Sequence, residues 1–402
     1  MLIFFTKPSI DHLPKAENSY FCSRNERYTS NLFFDRYDYM TKVAGRCPFL
    51  RFLILVAFLF HVFSATAQMA RMYTIQQGLT TSDISDIYID SKGMVLLPGL
   101  ASLDLFDGVS FHHDFHQAFM KQNLVNSFSG VVELSDDRYL VKSSNGLMLF
   151  DVRKNDFRHL LLDEAEDSVK GYPITSLVEY RQKDCFIVSA MGGGLFAIDR
   201  HTAKVNEALT HRLKSKVSSK LCGNLYVDSD ENLWINTSDR KMIAFHMPTM
   251  NRLKLNITPD AEQVITDGVV SSMIQQRTTG NMLFTTGEGV VIFDRSTKTL
   301  RMSNGSKAIA NMLINQIYET HEGKLLVGTD GMGVWQMGVD EMFSQYSFSE
   351  FHLNLNHAKV RVMAEDSDGN MIMVIFQKGI IVIPVALVIS IDKSEETVSI
   401  FP

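Results

Sequence analysis

The sequence predicts an all-β protein, a seven-bladed β-propeller of four-stranded blades closed by an N-terminal strand. Three observations predict it. One pattern of apolar strands and polar turns recurs seven times between residues 84 and 383. The copies lie 43 to 49 residues apart, 46 on average, which suits a four-stranded blade; solenoid repeats are mostly shorter or helical. Beyond the N-terminal leader, no stretch repeats apolar residues every 3.6 positions over three turns.

The leader comes first in chain order. Lys42, Arg46 and Arg51 form a basic region, Phe52 to Phe63 is an apolar run broken only by His61, and Ala65-Thr66-Ala67 supplies a small-x-small cleavage pattern. The run is 12 residues, against the roughly 20 that a spanning helix needs. Residues 40–67 therefore read as a signal peptide cleaved after Ala67, and the mature chain is expected in the periplasm. Residues 1–39 are mixed and polar. They read as an extension upstream of a true start at Met40, or as disordered.

Residues 68–384 are expected to form the propeller. The clearest copies run from Ile84 to Gly108, Ile174 to Asp199, Ile314 to Met337 and Val360 to Ile383; weaker copies run from Val125 to Asp151, Leu221 to His246 and Val270 to Asp294. Aligning the first turn of each places Gly93, Asp137, Asp184, Glu231, Gly280, Gly323 and Gly369 in one column. A ring leaves its last blade one strand short unless a terminus supplies it, because an open edge exposes unpaired backbone groups. Arg71 to Ile75 has no blade of its own and is expected outermost on the seventh, beside Gly379 to Ile383. Val385 to Ile391 is the other candidate for that place. Residues 385–402 read as a C-terminal strand or tail, or as the start of a second propeller cut short.

Composition bounds the function. The 402 residues are 45% hydrophobic and 21% charged, enough for a sizeable core. Lys and Arg number 39 against 45 Asp and Glu, net −6, and cleavage after Ala67 leaves 31 against 40, net −9. Neither balance attracts nucleic acid or anionic lipid. Gly379 to Ile391, at 13 residues with Pro384 inside, is too short to span a membrane, so no transmembrane segment is expected in the mature chain. Four cysteines exclude a disulfide-built scaffold. Cys185 and Cys222 remain after cleavage, either paired or filling small-residue strand positions.

Residues 76–97, followed by Leu103 to Gly108, resemble the opening of the two-component regulator propeller repeats. The pattern apolar-x-x-Ile, Asp-x-x-Gly, apolar strand, Thr-x-x-Gly and a closing Asp recurs across residues 69–383. The resemblance implies a periplasmic sensor region of a Bacteroidetes hybrid two-component system, detecting glycan breakdown products. The departures are specific. Leu96, Leu97, Pro98 and Leu100 stand where the family prefers Trp-x-Gly-Thr, and only Trp234 keeps the strand tryptophan. Family members usually carry two propellers, a β-sandwich, a membrane helix, a kinase, a receiver and a DNA-binding domain. None beyond the first propeller is read here, so the chain is expected to lack its own kinase or DNA-binding output. Its partner would be a second propeller or a second copy. A free-standing periplasmic module, or a nonfunctional gene fragment, would both fit.

Little in the sequence points to catalysis. Gly192-Gly193-Gly194, Gly287-Glu288-Gly289 and Gly331-Met332-Gly333 lack the Lys-Ser/Thr that a phosphate loop needs, and read as tight turns. His112, Asp114 and His116 share a strand face, but polar alternation is ordinary on an outermost strand, so no metal is expected. Trp234 and Trp335 fall at apolar strand positions and should pack between blades. No Gly-x-Ser-x-Gly elbow or His-Glu-x-x-His stretch is present. No catalytic residue and no cofactor are expected. The alternative is a propeller-fold polysaccharide lyase or hydrolase.

A ligand is expected on the face built by the inter-blade loops and the turns between second and third strands, which vary freely because the strands carry the core. The polar candidates there are Asn123, Tyr172, Asp239, Arg240, Glu288, Asp330, His357 and Lys378. Tyr172 offers an aromatic face, while Arg240 and Lys378 suit a uronate carboxylate of an acidic oligosaccharide. Arg240 sits in the one such turn without glycine, which hints at side-chain use; Arg240→Ala is expected to weaken such a ligand by about 1–3 kcal/mol.

Overall fold

The computed structural model describes residues 70–384, 389–391 and 398–400, apart from 114–126, 136, 165–170, 219–222, 238 and 240. The expected extension 1–39 and signal peptide 40–67 lie outside them. All the described residues belong to one compact unit, 67–402.

The unit is a seven-bladed β-propeller, each blade a small antiparallel sheet whose strands pair in chain order. The first blade holds Tyr88–Ile89, Val95–Gly99, Ser102–Phe106 and Phe111–His112; the second Phe128–Ser135, Arg138–Ser143, Gly146–Asp151 and Asp156–Leu160. The third holds Ile174–Tyr180, Cys185–Ala190 and Gly194–Asp199; the fourth Asn224–Val227, Asn232–Asn236, Met242–His246 and Asn251–Arg252. The fifth has Ser272–Gln275, Met282–Thr286, Gly289–Asp294 and Thr299–Met302, and the sixth Ile314–Glu319, Leu325–Thr329, Val334–Met337 and Phe343–Gln345. The seventh comprises Val360–Glu365, Met371–Ile375 and Gly379–Ile383, with Arg71–Tyr73 as its outermost strand. That strand runs antiparallel to the third, Arg71 opposite Val382 and Tyr73 opposite Ile380. Gly379 sits at φ 107°, and a Cβ there would stand 2.2 Å from the Tyr73 carbonyl oxygen, so only glycine lets the strand approach.

The core is distributed. Seven apolar clusters are buried, and each joins two neighbouring blades. Trp234 of the fourth blade, fully buried, packs against Phe284 and Phe293 of the fifth at 5.3 and 4.8 Å between ring centres. The ring closes in the same way: Leu79, Ile84, Val95 and Leu97 of the first blade share a cluster with Val362, Ile372, Val374 and Ile380 of the seventh. Second strands such as Met282–Thr286 and Met371–Ile375 are buried on both faces, which explains their unbroken apolar runs. First strands are only partly buried, as in Ile314–Glu319.

The aligned first-turn column has a backbone cause. Gly93, Asp137, Asp184, Glu231, Gly280, Gly323 and Gly369 all take φ between 45° and 84°. The turn demands the left-handed region, where glycine is free and acidic residues are tolerated. An Asp before it holds the turn shut: Asp90 Oδ1 accepts from Lys92 N and Met94 N at 2.9 and 2.8 Å, and Asp228 and Asp366 do likewise.

Two blades depart from four strands. In the third, the fourth place holds only an isolated bridge between Ile198 and Val205, because the chain turns at once into helix α1, Glu207–Lys214. Asn206 caps it, its side chain accepting from Leu209 N at 3.0 Å. The fifth blade gains Asn256–Ile257, parallel to Thr299–Met302, just before helix α2, Pro259–Asp267. Both helices are about two turns long, too short to show a three-turn apolar period. Ile389–Ile391 pairs with Val398–Ile400 in a separate two-stranded sheet, not with the seventh blade.

Candidate functional site

Pairing in chain order fixes which loops share a face. Turns between second and third strands fall at the same end as the inter-blade loops, and first and third turns fall at the other. In the second, fifth and sixth blades the second turn is closed by a hydroxyl. Ser143, Thr286 and Thr329 donate to the carbonyls of Gly146, Gly289 and Gly333 at 2.7, 3.1 and 2.8 Å. Thr237 does the equivalent without a glycine: its hydroxyl donates to the Asp239 carboxylate and accepts from Lys241 N at 3.1 Å. That bond draws the Asp239 carboxyl below the usual carboxylate range.

Among the candidate ligand residues, Asn123 and Arg240 lie outside the described residues, as do Asp114, His116 and Cys222. Tyr172 turns its ring under the second turn of the third blade, where a Cβ on Gly193 would stand 2.6 Å from its edge, and its hydroxyl donates to Asp163 at 3.3 Å. Part of its aromatic face is therefore already used. Glu288 is exposed, and its backbone N–H donates to Thr286 Oγ1 at 3.2 Å. Asp330 pairs with Lys359 at 3.3 Å, bridging the sixth and seventh blades. His357 and Lys378 are exposed on the seventh. The fold thus gathers Asp330, His357 and Lys378 in one sector, whereas Tyr172, Asp239 and Glu288 belong to the third, fourth and fifth blades. His112 Nε2 lies 2.9 Å from Asp107, and Cys185 is a buried thiol with no disulfide partner among the described residues.

Recurrent polar side chains at the opposite face are structural. Ser91 N donates to Glu133, Ser229 N to Gln275 and Arg277 N to Glu319, each at 2.8 Å, and His321 N donates to Glu365. In every case a first turn is fastened to the first strand of the next blade. A cavity of about 550 Å3 opens there, lined by Glu179, Arg181, Tyr226, Asp228 and Gln275. Its charges already satisfy one another: Glu179 takes Arg181 Nε at 2.7 Å and also Arg200.

Polar side chains also stitch successive first strands together. Ser176 Oγ accepts from Leu225 N at 3.0 Å, Asn224 Nδ2 donates to the Val270 carbonyl at 3.0 Å, and Gln316 Oε1 accepts from Met363 N at 2.6 Å. Gly130 has no side chain to do this, and Lys142 reaches past it to the Thr175 carbonyl at 3.4 Å. A Cβ on Gly130 would stand 3.1 Å from Lys142 Cε and 3.3 Å from Asp86 Oδ2. Burial pushes the Asp86 carboxyl up to about 6 and draws the Lys142 ammonium down, the two charges opposing that effect. Composition and spacing hid these links, because their partners are backbone groups of another blade.

No protein-family model matches the sequence, and no curated protein matches it. Solved structures share the fold. The extracellular domain of one hybrid two-component system of B. thetaiotaomicron aligns at TM-score 0.61 and 16% identity, over 83% of this chain and 46% of its own. That of a second aligns at 0.60 and 15%, over 80% and 40%. Virginiamycin B lyase from Staphylococcus aureus aligns at 0.55 and 10%, over 79% and 99%. This chain spans less than half the length of the two extracellular-domain chains. Among the described residues no helix is long and apolar enough to cross a membrane. The chain is a seven-bladed propeller whose structural neighbours include extracellular domains of B. thetaiotaomicron hybrid two-component systems, aligned over most of its length.

Proposed function

We propose that the chain is an exported, non-catalytic sensor propeller that binds an oligosaccharide on the face of the second turns and inter-blade loops. Cleavage after Ala67 would deliver it to the periplasm with Gln68 as its first residue. The observation that carries this reading is the fold likeness to the two extracellular domains, at TM-scores of 0.61 and 0.60 over four-fifths of the chain. Ligand contacts would come from Tyr172, Asp239, Glu288, Asp330, His357 and Lys378, joined by Asn123 and Arg240. Calorimetric titration against plant and host glycans tests it, run beside activity assays on the same panel. Saturable binding without turnover is the expected result; turnover without saturable binding overturns it.

A second reading has its own support. Virginiamycin B lyase has this fold over nearly its whole length, so a propeller of this size can carry an active site. Bond cleavage in the same assays would favour that reading.

A further inference from the structure

One strip of residues on the proposed ligand face runs unbroken across the sixth, seventh and first blades. Asp330 N donates to the Leu313 carbonyl at 2.8 Å, and the Asp330 side chain pairs with Lys359. Phe376 N donates to the Lys359 carbonyl at 2.9 Å. Two cations address the Phe376 ring, Lys359 Nζ at 5.6 Å and Arg361 Cζ at 5.2 Å from its centre. Arg361 in turn bonds Asp83, whose carbonyl accepts from Leu100 N at 3.1 Å.

Arg361 is set apart by its backbone. Near their starts, the first strands of the second, third, sixth and seventh blades each slip register by one residue, and the residues left unpaired there are Ser129, Thr175, Asn315 and Arg361. Such bulges re-aim a side chain beside functional sites. Three of these four are small neutral groups; the fourth is a guanidinium 35% exposed. Only its Nη1 is engaged, by Asp83 Oδ1 at 2.6 Å and the Ile84 carbonyl at 2.9 Å. Nε and Nη2 have no partner among the described residues. Two cations, Lys359 and Arg361, meet two carboxylates, Asp330 and Asp83, in a chain that is acidic overall, and Lys378 is exposed two residues beyond Phe376.

Apolar groups flank the charges. Leu313 is 69% exposed, Leu100 55% and Met332 45%, at the two ends of the strip. Exposed aliphatics on both sides of a partly unsatisfied guanidinium suit a ligand that presents a carboxylate next to apolar surface.

We propose that Arg361, Lys359 and Phe376, flanked by Leu313 and Leu100, form a subsite for a carboxylate carried beside an apolar face. Two sources share that chemistry, a uronic acid unit of an oligosaccharide and a small organic acid. The subsite deepens the sensor reading and rests on it for the uronate source alone.

The test is calorimetric titration of the whole chain with trigalacturonate, phenylacetate and neutral maltotriose. Arg361→Gln should weaken the carboxylate probes about tenfold and leave any maltotriose binding unchanged. Leu313→Ser leaves the ion pairs in place and should also weaken them, which separates recognition from folding if Arg361→Gln lowers the melting temperature. Val109→Ser, on the opposite face, should bind as the parent does. Binding of trigalacturonate alone identifies the uronate source, and binding of phenylacetate alone the organic acid. Unchanged affinity in both Arg361→Gln and Leu313→Ser overturns the subsite and leaves the sensor reading intact. Failure of both acids to bind overturns it too; maltotriose binding in that event would keep the sensor reading.

Discussion

Arg361 of the seventh blade donates from Nη1 to Asp83 Oδ1 of the first at 2.6 Å, joining residues 278 apart in sequence. The same blades share the buried cluster around Ile84, Ile372 and Val374, so this part-exposed ion pair and a buried apolar core both hold the ring at this seam. Magnitudes decide which matters more. A part-exposed pair contributes at most about 1 kcal/mol, whereas truncating a buried isoleucine costs about 2–5 kcal/mol. Urea unfolding should therefore show a small loss for Arg361→Ala and a loss several times larger for Ile372→Ala.

The first-turn column predicts opposite effects for two substitutions. Gly323 sits at φ 83° with nothing within 4 Å of a Cβ, so Gly323→Ala should cost about 1 kcal/mol through the backbone alone. Asp184 holds φ 45° in the equivalent turn, and Asp184→Gly should gain a few tenths to about 1 kcal/mol. Thermal unfolding of the two variants beside the parent checks both signs.

That column was legible in the sequence because a left-handed turn admits few residue types at a fixed spacing. The seven blades were legible for the same reason, each ending its first turn on that position. The inter-blade links were not. Glu133, Gln275, Glu319 and Glu365 recur at blade spacing but resemble a solvated face, since their partners are backbone N–H groups of the preceding blade. Helices α1 and α2 escaped notice through brevity. At the candidate site, polarity and turn position singled out Asp330 and Lys378, but the Tyr172 ring is partly spent on Gly193, and nothing in composition marked Arg361 as a bulged residue.

One inter-blade link can be tested by a single substitution. The Glu319 side chain is almost wholly buried and accepts from Arg277 N at 2.8 Å. Glu319→Ala removes that bond at an exposed amide that water can reach, and should cost about 0.5–1.5 kcal/mol. Ligand affinity should not change, because the residue sits at the opposite end from the proposed site. Chemical denaturation beside titration of the same variant reads both.

Asp86 gives the stability a pH signature. Its carboxyl is raised from 3.8 to about 6 in the folded chain, so folding favours its protonated form. The stability it contributes is full below about pH 4 and is lost as pH rises through about 6. Asp86→Asn cannot ionise. The stability of Asp86→Asn relative to the parent should rise between those pH values and level off above them, as measured by urea midpoints across the range.

The central claim is that a ligand is read by the face of second turns and inter-blade loops. Hydrogen exchange with and without a saturating oligosaccharide tests it most directly, since every blade reports both ends. Binding should slow exchange in the second turns, at residues 191–193, 287–288, 330–333 and 376–378, and leave the first and third turns unchanged. Protection confined to residues 90–93, 152–155 and 366–369 would place the ligand at the opposite end and contradict the account.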